Sequence, residues 1–302
     1  MYKKLNLIGF LFVLPFFLFF LLFNLYPIVQ TLYLSFTQFD GFQDPEFIGV
    51  KNYIDLVGDK YFWISFMATW KIWLPNFATQ LILAFVCAVF LTNIRYRIKY
   101  LGLFRAVFYF PNLVTASSMA VLFSVILNWQ TGSLNQILFG DDKSRYVNWL
   151  IDGNRAQLVV SLIQTWMWFG HSMILLMAGI LGIPKSFFEA AEIDGASQFK
   201  VFFRITLPCI FPIFTYVVVT SLIGGVQLFD IPYVMYRGPI LQGQGDVIYA
   251  VKTMQAFMYE RGFAYNRFGY AASVSFFMLG IVAVISFFYM KFSRRVMFGD
   301  SR

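Results

Sequence analysis

The sequence predicts an all-α membrane protein with six transmembrane helices and both termini in the cytoplasm. Three observations carry that expectation. Of 302 residues, 59% are hydrophobic and 21% aromatic, only 13% are charged, and the mean hydropathy is +0.68. A soluble chain of this length carries about a quarter charged residues. Second, six apolar runs long enough to cross a bilayer alternate with polar loops. Third, the charge is one-sided. With the N-terminus inside, the inner segments hold 13 Lys and Arg against four Asp and Glu, and the other ten basic and 11 acidic residues lie outside or in the spans. Basic residues gather on the cytoplasmic side of membrane proteins. The net charge of +8 is therefore topology and not a nucleic-acid footprint.

The first span is expected at 7–29. Lys3 and Lys4 ahead of the apolar run look like a signal peptide, but the run is too long and lacks a small-residue cleavage site, so the span stays uncleaved. The loop at 38–60 is acidic, with Asp40, Asp44, Glu46, Asp55 and Asp59 against Lys51 and Lys60. The second span, 63–91, is interrupted by Lys71 and by Leu74-Pro75-Asn76. A neighbouring helix or water must satisfy the carbonyl that Pro75 frees. Lys71 reads as a snorkelling lysine near the outer interface, with a lining role as the alternative.

A basic turn at 95–105 leads into the third span, 106–128, whose start is kinked by Pro111-Asn112. Ala116 and Ala120 have the spacing that lets two helices pack closely. The second outer loop is 129–154. The fourth span, 157–181, is polar and aromatic for a lipid-facing helix: Gln164, Thr165, Trp166, Trp168 and the single His171. Gln164 and Trp168 are four apart and share a face. The fifth span, 209–235, carries Ser221, Gly224, Gly225, Gln227 and Asp230, which should face protein or a cavity. After the last outer loop, 236–266, the sixth span runs over 268–289 with Gly269, Ala272 and Ser273, and ends inside at Lys291, Arg294 and Arg295. Cys87 and Cys209 fall in different spans, so no disulfide is expected.

Between spans four and five, residues 186–212 keep helical patterning while carrying charge. Ser186 followed by Glu189 is a capping-box pattern that opens a helix after Pro184. Gly195 suits the left-handed turn that ends it. Ser197 can cap a second helix, on which Phe199, Phe202 and Phe203 share one face, and Leu207-Pro208 closes that helix. The whole reads as a helix–Gly–helix elbow in the cytoplasm.

The residues Glu189-Ala190-Ala191, Asp194-Gly195-Ala196 and Ile205-Thr206-Leu207-Pro208 resemble the EAA loop of permease subunits of binding-protein-dependent ABC importers. In that family the loop is a coupling helix that docks into a cleft on a cytoplasmic ATPase. The resemblance implies a type I ABC importer permease fold. It implies a first helix and external loop at 1–62, a transmembrane domain at 63–292 with the coupling loop at 184–208, and a cytoplasmic tail at 293–302. The implied partners are a second homologous permease, two ATPase subunits that bind ATP and Mg, an extracytoplasmic solute-binding protein and the lipid bilayer. The implied ATPase-coupling residues are Glu189, Ala190, Ala191, Asp194, Gly195, Leu207 and Pro208. Residues 47–53 and Gly132-Ser133-Leu134-Asn135 resemble further family patterns. Phe229-Asp230 does too, and Arg237-Gly238-Pro239 stands where Gly-Gly-Pro is usual.

From span two onward the chain is similar to the larger maltose-type permease. That likeness implies a substrate path at Gln164, Trp168, Ser221, Gly224 and Gly225, with Gln164 able to donate and accept and Trp168 offering a flat apolar face. Trp168, Gly224 and Gly225 depart from the small or amide residues of that relative, which puts the same sugar in doubt. Packing between helices is the alternative for each residue. The sequence has no G-x-x-x-x-G-K-[ST] phosphate loop and no His/Cys cluster, so neither nucleotide hydrolysis nor another enzymatic activity is expected of it. The rival reading is an ion-coupled secondary transporter using Asp230 or Lys71. No second half mirrors the first.

Overall fold

A computed structural model describes residues 2–92, 99–237 and 246–298. Arg95, Arg97, Gly238, Pro239 and the end of the tail lie outside the described residues. The chain forms two compact units, one of residues 1–62 and 257–280, the other of residues 63–256 and 281–302.

In the first unit, α1 (Tyr2–Phe20), a π-helical turn (Leu21–Leu25) and α2 (Tyr26–Ser35) follow without a break. Pro15 and Pro27 are absorbed, the second at the start of α2, where its missing N–H costs least. The span thus runs on past residue 29. A two-residue hairpin follows, β1 (Thr37–Gln38) against β2 (Glu46–Phe47), with Thr37 opposite Phe47. Helix α3 (Lys51–Gly58) is pinned to the end of α2. The buried Asn52 amide donates to the Ser35 and Thr37 carbonyls at 3.0 and 2.8 Å, and the Tyr53 and Ser35 hydroxyls are 2.8 Å apart. Asp59 then caps α4 (Lys60–Leu91), accepting from the Tyr61 and Phe62 amides. The same carboxylate takes bonds from Arg261 at 3.3 Å and the Tyr270 hydroxyl at 3.0 Å. At Gly269 the backbone itself forbids a side chain. Its N–H donates to the Phe39 carbonyl, and a Cβ there would overlap the Thr37 carbonyl.

The second unit is built around α8 (Gly153–Leu181), which starts on an Asp152 cap. Against it lie the rest of α4, then α5 (Leu101–Leu113) and α6 (Ala116–Ile126). Further on come the short α7 (Ser133–Phe139), α9 (Lys185–Ile193), α10 (Gln198–Val201), α11 (Leu207–Val226), α12 (Asp230–Arg237), α13 (Asp246–Val251) and α14 (Met254–Tyr259). Helix α15 (Phe268–Phe298) runs through both units, and a π turn at Glu260–Ala264 precedes it. Helix α4 continues through Pro75, while the Ser161 hydroxyl supports the adjacent Ile72 carbonyl at 2.7 Å. Farther inward, Gln80 donates to the Ser172 hydroxyl at 2.7 Å, and Thr165 meets the Thr79 hydroxyl and the Asn76 side chain. These polar groups face one another, as helices must arrange them where lipid offers no partner.

The third span differs from the single helix expected at 106–128. It is a pair, α5 and α6, bent by 92°. Val114 is extended, and Thr115 is the N-cap of a new helix, its hydroxyl accepting from the Ser118 amide. The break falls just after the kink expected at Pro111, because a fresh cap four residues on, at Thr115, ends the first helix outright. Among the described residues, five helices are long and apolar enough to cross a membrane, and six if the bent pair is one crossing. The packing makes it one. Leu101 sits with Met177 and Ile180 at the C-terminal end of α8. Phe108 touches Phe169, Phe123 touches Trp166, and Leu127 shares a cluster with Ala156 at the far end. The pair climbs the whole length of α8. The end of α4, at Ala88 and Leu91, joins the same cluster as Ile180. The C-terminal end of α8 therefore lies beside the end of α4 and the start of α5.

Candidate functional site

The elbow follows from that end of α8. Gly182 caps α8, and Pro184 stands at the N-cap of α9 with no side-chain cap. Ser186 is already inside the helix, so the expected capping box does not form. Proline occupies the position the serine would need, and its carbonyl accepts from the Phe187 amide. The far end is built as expected. Gly195 has φ +63°, its N–H reaches the Glu192 carbonyl, and the Ala196 N–H reaches back to Ala191 at 2.9 Å. That pair of bonds is the Schellman ending, and it fixes the angle at which the chain leaves.

Ser197 then caps α10 through the Lys200 amide at 3.4 Å. The second helix does not close at Leu207-Pro208. It passes through a π turn, Phe202–Thr206, directly into α11. Proline cannot donate a hydrogen bond, and the wider turn before it, closed from Leu207 to the Phe202 carbonyl, takes up the mismatch. The elbow is thus one short helix, one glycine turn and the foot of the fifth span itself.

The faces of the elbow divide the candidate residues. Glu189, Ala190, Asp194 and Gly195 are exposed, Pro208 is exposed and Leu207 half-buried. Ala191 is buried and turns inward, as does Phe188, which packs with Met177, Ile180 and Ile210. Ile193 is 87% and Phe199 74% exposed. The Phe199 and Phe203 rings lie 4.6 Å apart, tilted by 52°, while Phe202 turns inward to meet Phe85 edge-on. Behind α9 is a cavity of about 280 Å³ lined by Val89, Thr92, Phe188 and Phe202 among others. Chemically the elbow is a fitted, partly apolar surface with acidic groups and a fixed bend.

The five candidate path residues differ in burial. Gln164 is buried, whereas Trp168, one turn on, is 44% exposed. On α11, Gly224 is open, with nothing within 4 Å of a would-be Cβ. Gly225 is buried against the Trp73 indole, and any side chain there would overlap the ring. That indole donates to the Ser221 carbonyl at 2.9 Å. Ser221 and Gly225 thus form a seat for Trp73, a contact that sequence reading missed. Trp73 stands 148 positions from Ser221, and no local pattern announces it.

Residues 80–298 match the family described as "Binding-protein-dependent transport system inner membrane component". The chain is 32% identical over 293 residues to the probable ABC transporter permease protein YesP of Bacillus subtilis (strain 168), covering 96% of this chain and 92% of that one. It is 30% identical over 289 residues to the arabinooligosaccharides transport system permease protein AraP of the same organism, covering 94% and 88%. A chain of the bacterial alginate ABC transporter, solved in complex with its alginate pentasaccharide-bound periplasmic protein, has a similar fold. Its TM-score is 0.79 at 21% identity, over 98% of this chain and 96% of that chain.

Proposed function

The chain belongs to the binding-protein-dependent transport system inner membrane components, and from that premise we propose that it is the permease subunit of an ATP-driven carbohydrate importer, moved through its elbow. A second, homologous permease completes the channel. Two ATPase subunits, which hold the ATP and Mg, grip the elbows, and an extracytoplasmic solute-binding protein delivers the sugar. Support for the carbohydrate comes from the relative named for arabinooligosaccharides. Support for the solute-binding protein comes from the alginate transporter of similar fold, which carries a periplasmic protein in its complex. Residues 63–292 form the transport core, with the coupling loop at 184–208, preceded by a first helix and loop at 1–62 and followed by a tail at 293–302.

The observation that carries the reading is mechanical. The elbow is hinged to α8 by Gly182-Ile183-Pro184 and runs unbroken into α11. A pull on α9 is passed to α11 through a turn that two backbone hydrogen bonds hold rigid. The elbow also shares an end of the bundle with the end of α4 and the start of α5, which in the sequence flank the Lys- and Arg-rich stretch that the positive-inside rule assigns to the cytoplasm. Glu189 offers a charge to a basic group on the ATPase, and Ala190 lets the partner approach closely. Ala191 and Gly195 keep the helix seated and bent. Asp194, Leu207 and Pro208 complete the surface and its anchorage. Gln164, Trp168, Ser221, Gly224 and Gly225 border the path, of which Gln164 and Trp168 are its ligand-facing members and Ser221 and Gly225 hold its wall.

Glu189→Lys and Gly195→Pro test this in the assembled complex. Proline cannot adopt φ +63° and cannot donate to Glu192. Both variants should reach the membrane and assemble with the second permease, yet lose at least roughly tenfold in sugar uptake, the factor that about 1.4 kcal/mol of coupling free energy provides. Uptake at the wild-type rate in either would sink the assignment of the elbow.

A further inference from the structure

We propose that the cavity behind α9 holds a phosphatidylethanolamine from the adjoining membrane leaflet, with an acyl chain on its apolar wall, an ester carbonyl on Thr206 and the head group along α9. The cavity, about 280 Å³, lies wholly within the second unit, among α9, α10 and the ends of α4 and α8. Its wall is mainly apolar, with Val89, Ile180, Phe188 and Phe202 among its lining residues. It stands at the membrane boundary. Helix α8 has 29 residues, about 43 Å at 1.5 Å per residue, against a hydrocarbon core of about 30 Å. Leu181, the last of them, lines the cavity and is 59% exposed. The mouth is therefore open at the level where head groups begin.

Thr206 points to the ligand. It lines the cavity at 6% exposure, and among the described residues nothing hydrogen-bonds its hydroxyl. The π turn is the cause. Thr69, Thr79, Thr92 and Thr220 each donate to the carbonyl four residues back, at 2.7–2.9 Å. For Thr206 that carbonyl belongs to Phe202, and the π turn gives it to the Leu207 N–H instead. A buried hydroxyl without a partner is costly, and such turns are frequent at functional positions. Water would satisfy the hydroxyl but not the apolar wall, and an acyl chain alone would do the reverse. A phospholipid meets both, because ester carbonyls join its chains to its head. Charge then selects the head group. Lys185 and Glu192 both line the cavity, two turns apart on one face of α9, about 10 Å along its axis. One suits a phosphate and the other an ammonium. Phosphatidylglycerol lacks the ammonium, and phosphatidylcholine has a cation with no N–H to donate. A lipid seated here braces α9 from behind; that consequence rests on the elbow reading above, whereas the site does not.

The test uses the complete complex in nanodiscs, without sugar or ATP, so that its outcome does not depend on transport. Photoreactive-chain analogues of phosphatidylethanolamine, phosphatidylglycerol and phosphatidylcholine are supplied one at a time, and labelled peptides are identified by mass spectrometry. Phosphatidylethanolamine should label the stretch 180–206 roughly fivefold more than either of the others, the factor of about one net hydrogen bond. Thr206→Val keeps the volume and removes the hydroxyl, and Lys185→Gln removes the cation. Each should lower that labelling roughly fivefold. Val89→Phe fills the cavity and should abolish it. Labelling of the first span, whose apolar stretch is unburied in this chain, should stay unchanged throughout and serves as the control. If Val89→Phe fails to assemble, the near-isosteric Thr206→Val decides. Equal labelling by all three lipids, or labelling that survives Thr206→Val and Lys185→Gln, would mark an ordinary lipid annulus and overturn the site while leaving the transport reading standing.

Discussion

The first span and the fourth are built on opposite principles. The first is the more apolar, yet none of its most apolar stretch is buried within the chain, and Phe12 and Phe16 are 82% and 67% exposed. The fourth, α8, is the least apolar of the five long spans, and more than half of its corresponding stretch is buried. In water the more apolar helix would be the core. In a bilayer the lipid is as apolar as leucine, so a greasy helix gains nothing by going inside. What draws a helix to the centre is what lipid cannot satisfy: Gln157, Ser161, Thr165 and Ser172, each hydrogen-bonded across to another segment. The gaps left by Gly170 and Gly179 allow neighbours to come close. Polarity and small residues mark the core here.

Substitutions should separate the two spans. The largest effect is expected from Gly170→Ala on α8. The added Cβ must displace the α5 backbone at Phe108, and strain of this kind costs about 1–3 kcal/mol or more. Gly9→Ala in the first span meets nothing within 4 Å and should leave thermal stability in detergent unchanged. Equal effects would remove the contrast.

Next comes Asp59→Ala. It strips the cap from α4 and leaves Arg261 and Tyr270 without their acceptor, a loss of about 1–3 kcal/mol. A melting temperature unchanged from wild type would show that the unit holding the first span does not depend on this cluster. Gln80→Leu, which breaks the bond to Ser172, should cost about 0.6–1.7 kcal/mol, the range for hydrogen bonds between membrane helices. A stabilised variant would mean that polar pairing is not what seats α8.

The smallest effect is at Asp40, in the hairpin after the first span. The Gln43 and Phe42 amides donate to its carboxylate and hold its pKa below the ordinary 3.8. A depressed carboxylate stabilises the fold above its unfolded pKa, and that contribution fades as pH falls through the lower folded value. The stability gap between wild type and Asp40→Ala should therefore be constant near neutrality and shrink only below about pH 4. A gap that widens in acid would reverse the assignment.

The elbow shows how far local patterns reach. Gly195, Ser197 and the flanking helices could be read from residue types, because a left-handed turn and a cap depend on neighbours three or four positions away. Ser186 misled, since Pro184 took the N-cap first. Leu207-Pro208 misled as well, because a π turn lets a helix pass a proline that would otherwise end it. The break at Thr115 was nearly visible in Pro111, but the 92° bend comes from what α6 packs on, above all α12.

Composition, the run lengths of apolar residues and the placement of Lys and Arg were enough to establish a helical membrane protein, the positions of its crossings and the spot where the elbow lies. Each of these depends on transfer between water and lipid, which is a property of residues taken singly or in short windows. Which helix stands at the centre of the second unit, and that Ser221 and Gly225 seat Trp73, were decided only in three dimensions. Those contacts join positions tens to more than a hundred residues apart, and close packing and hydrogen bonding between helices select them with no trace in the local pattern.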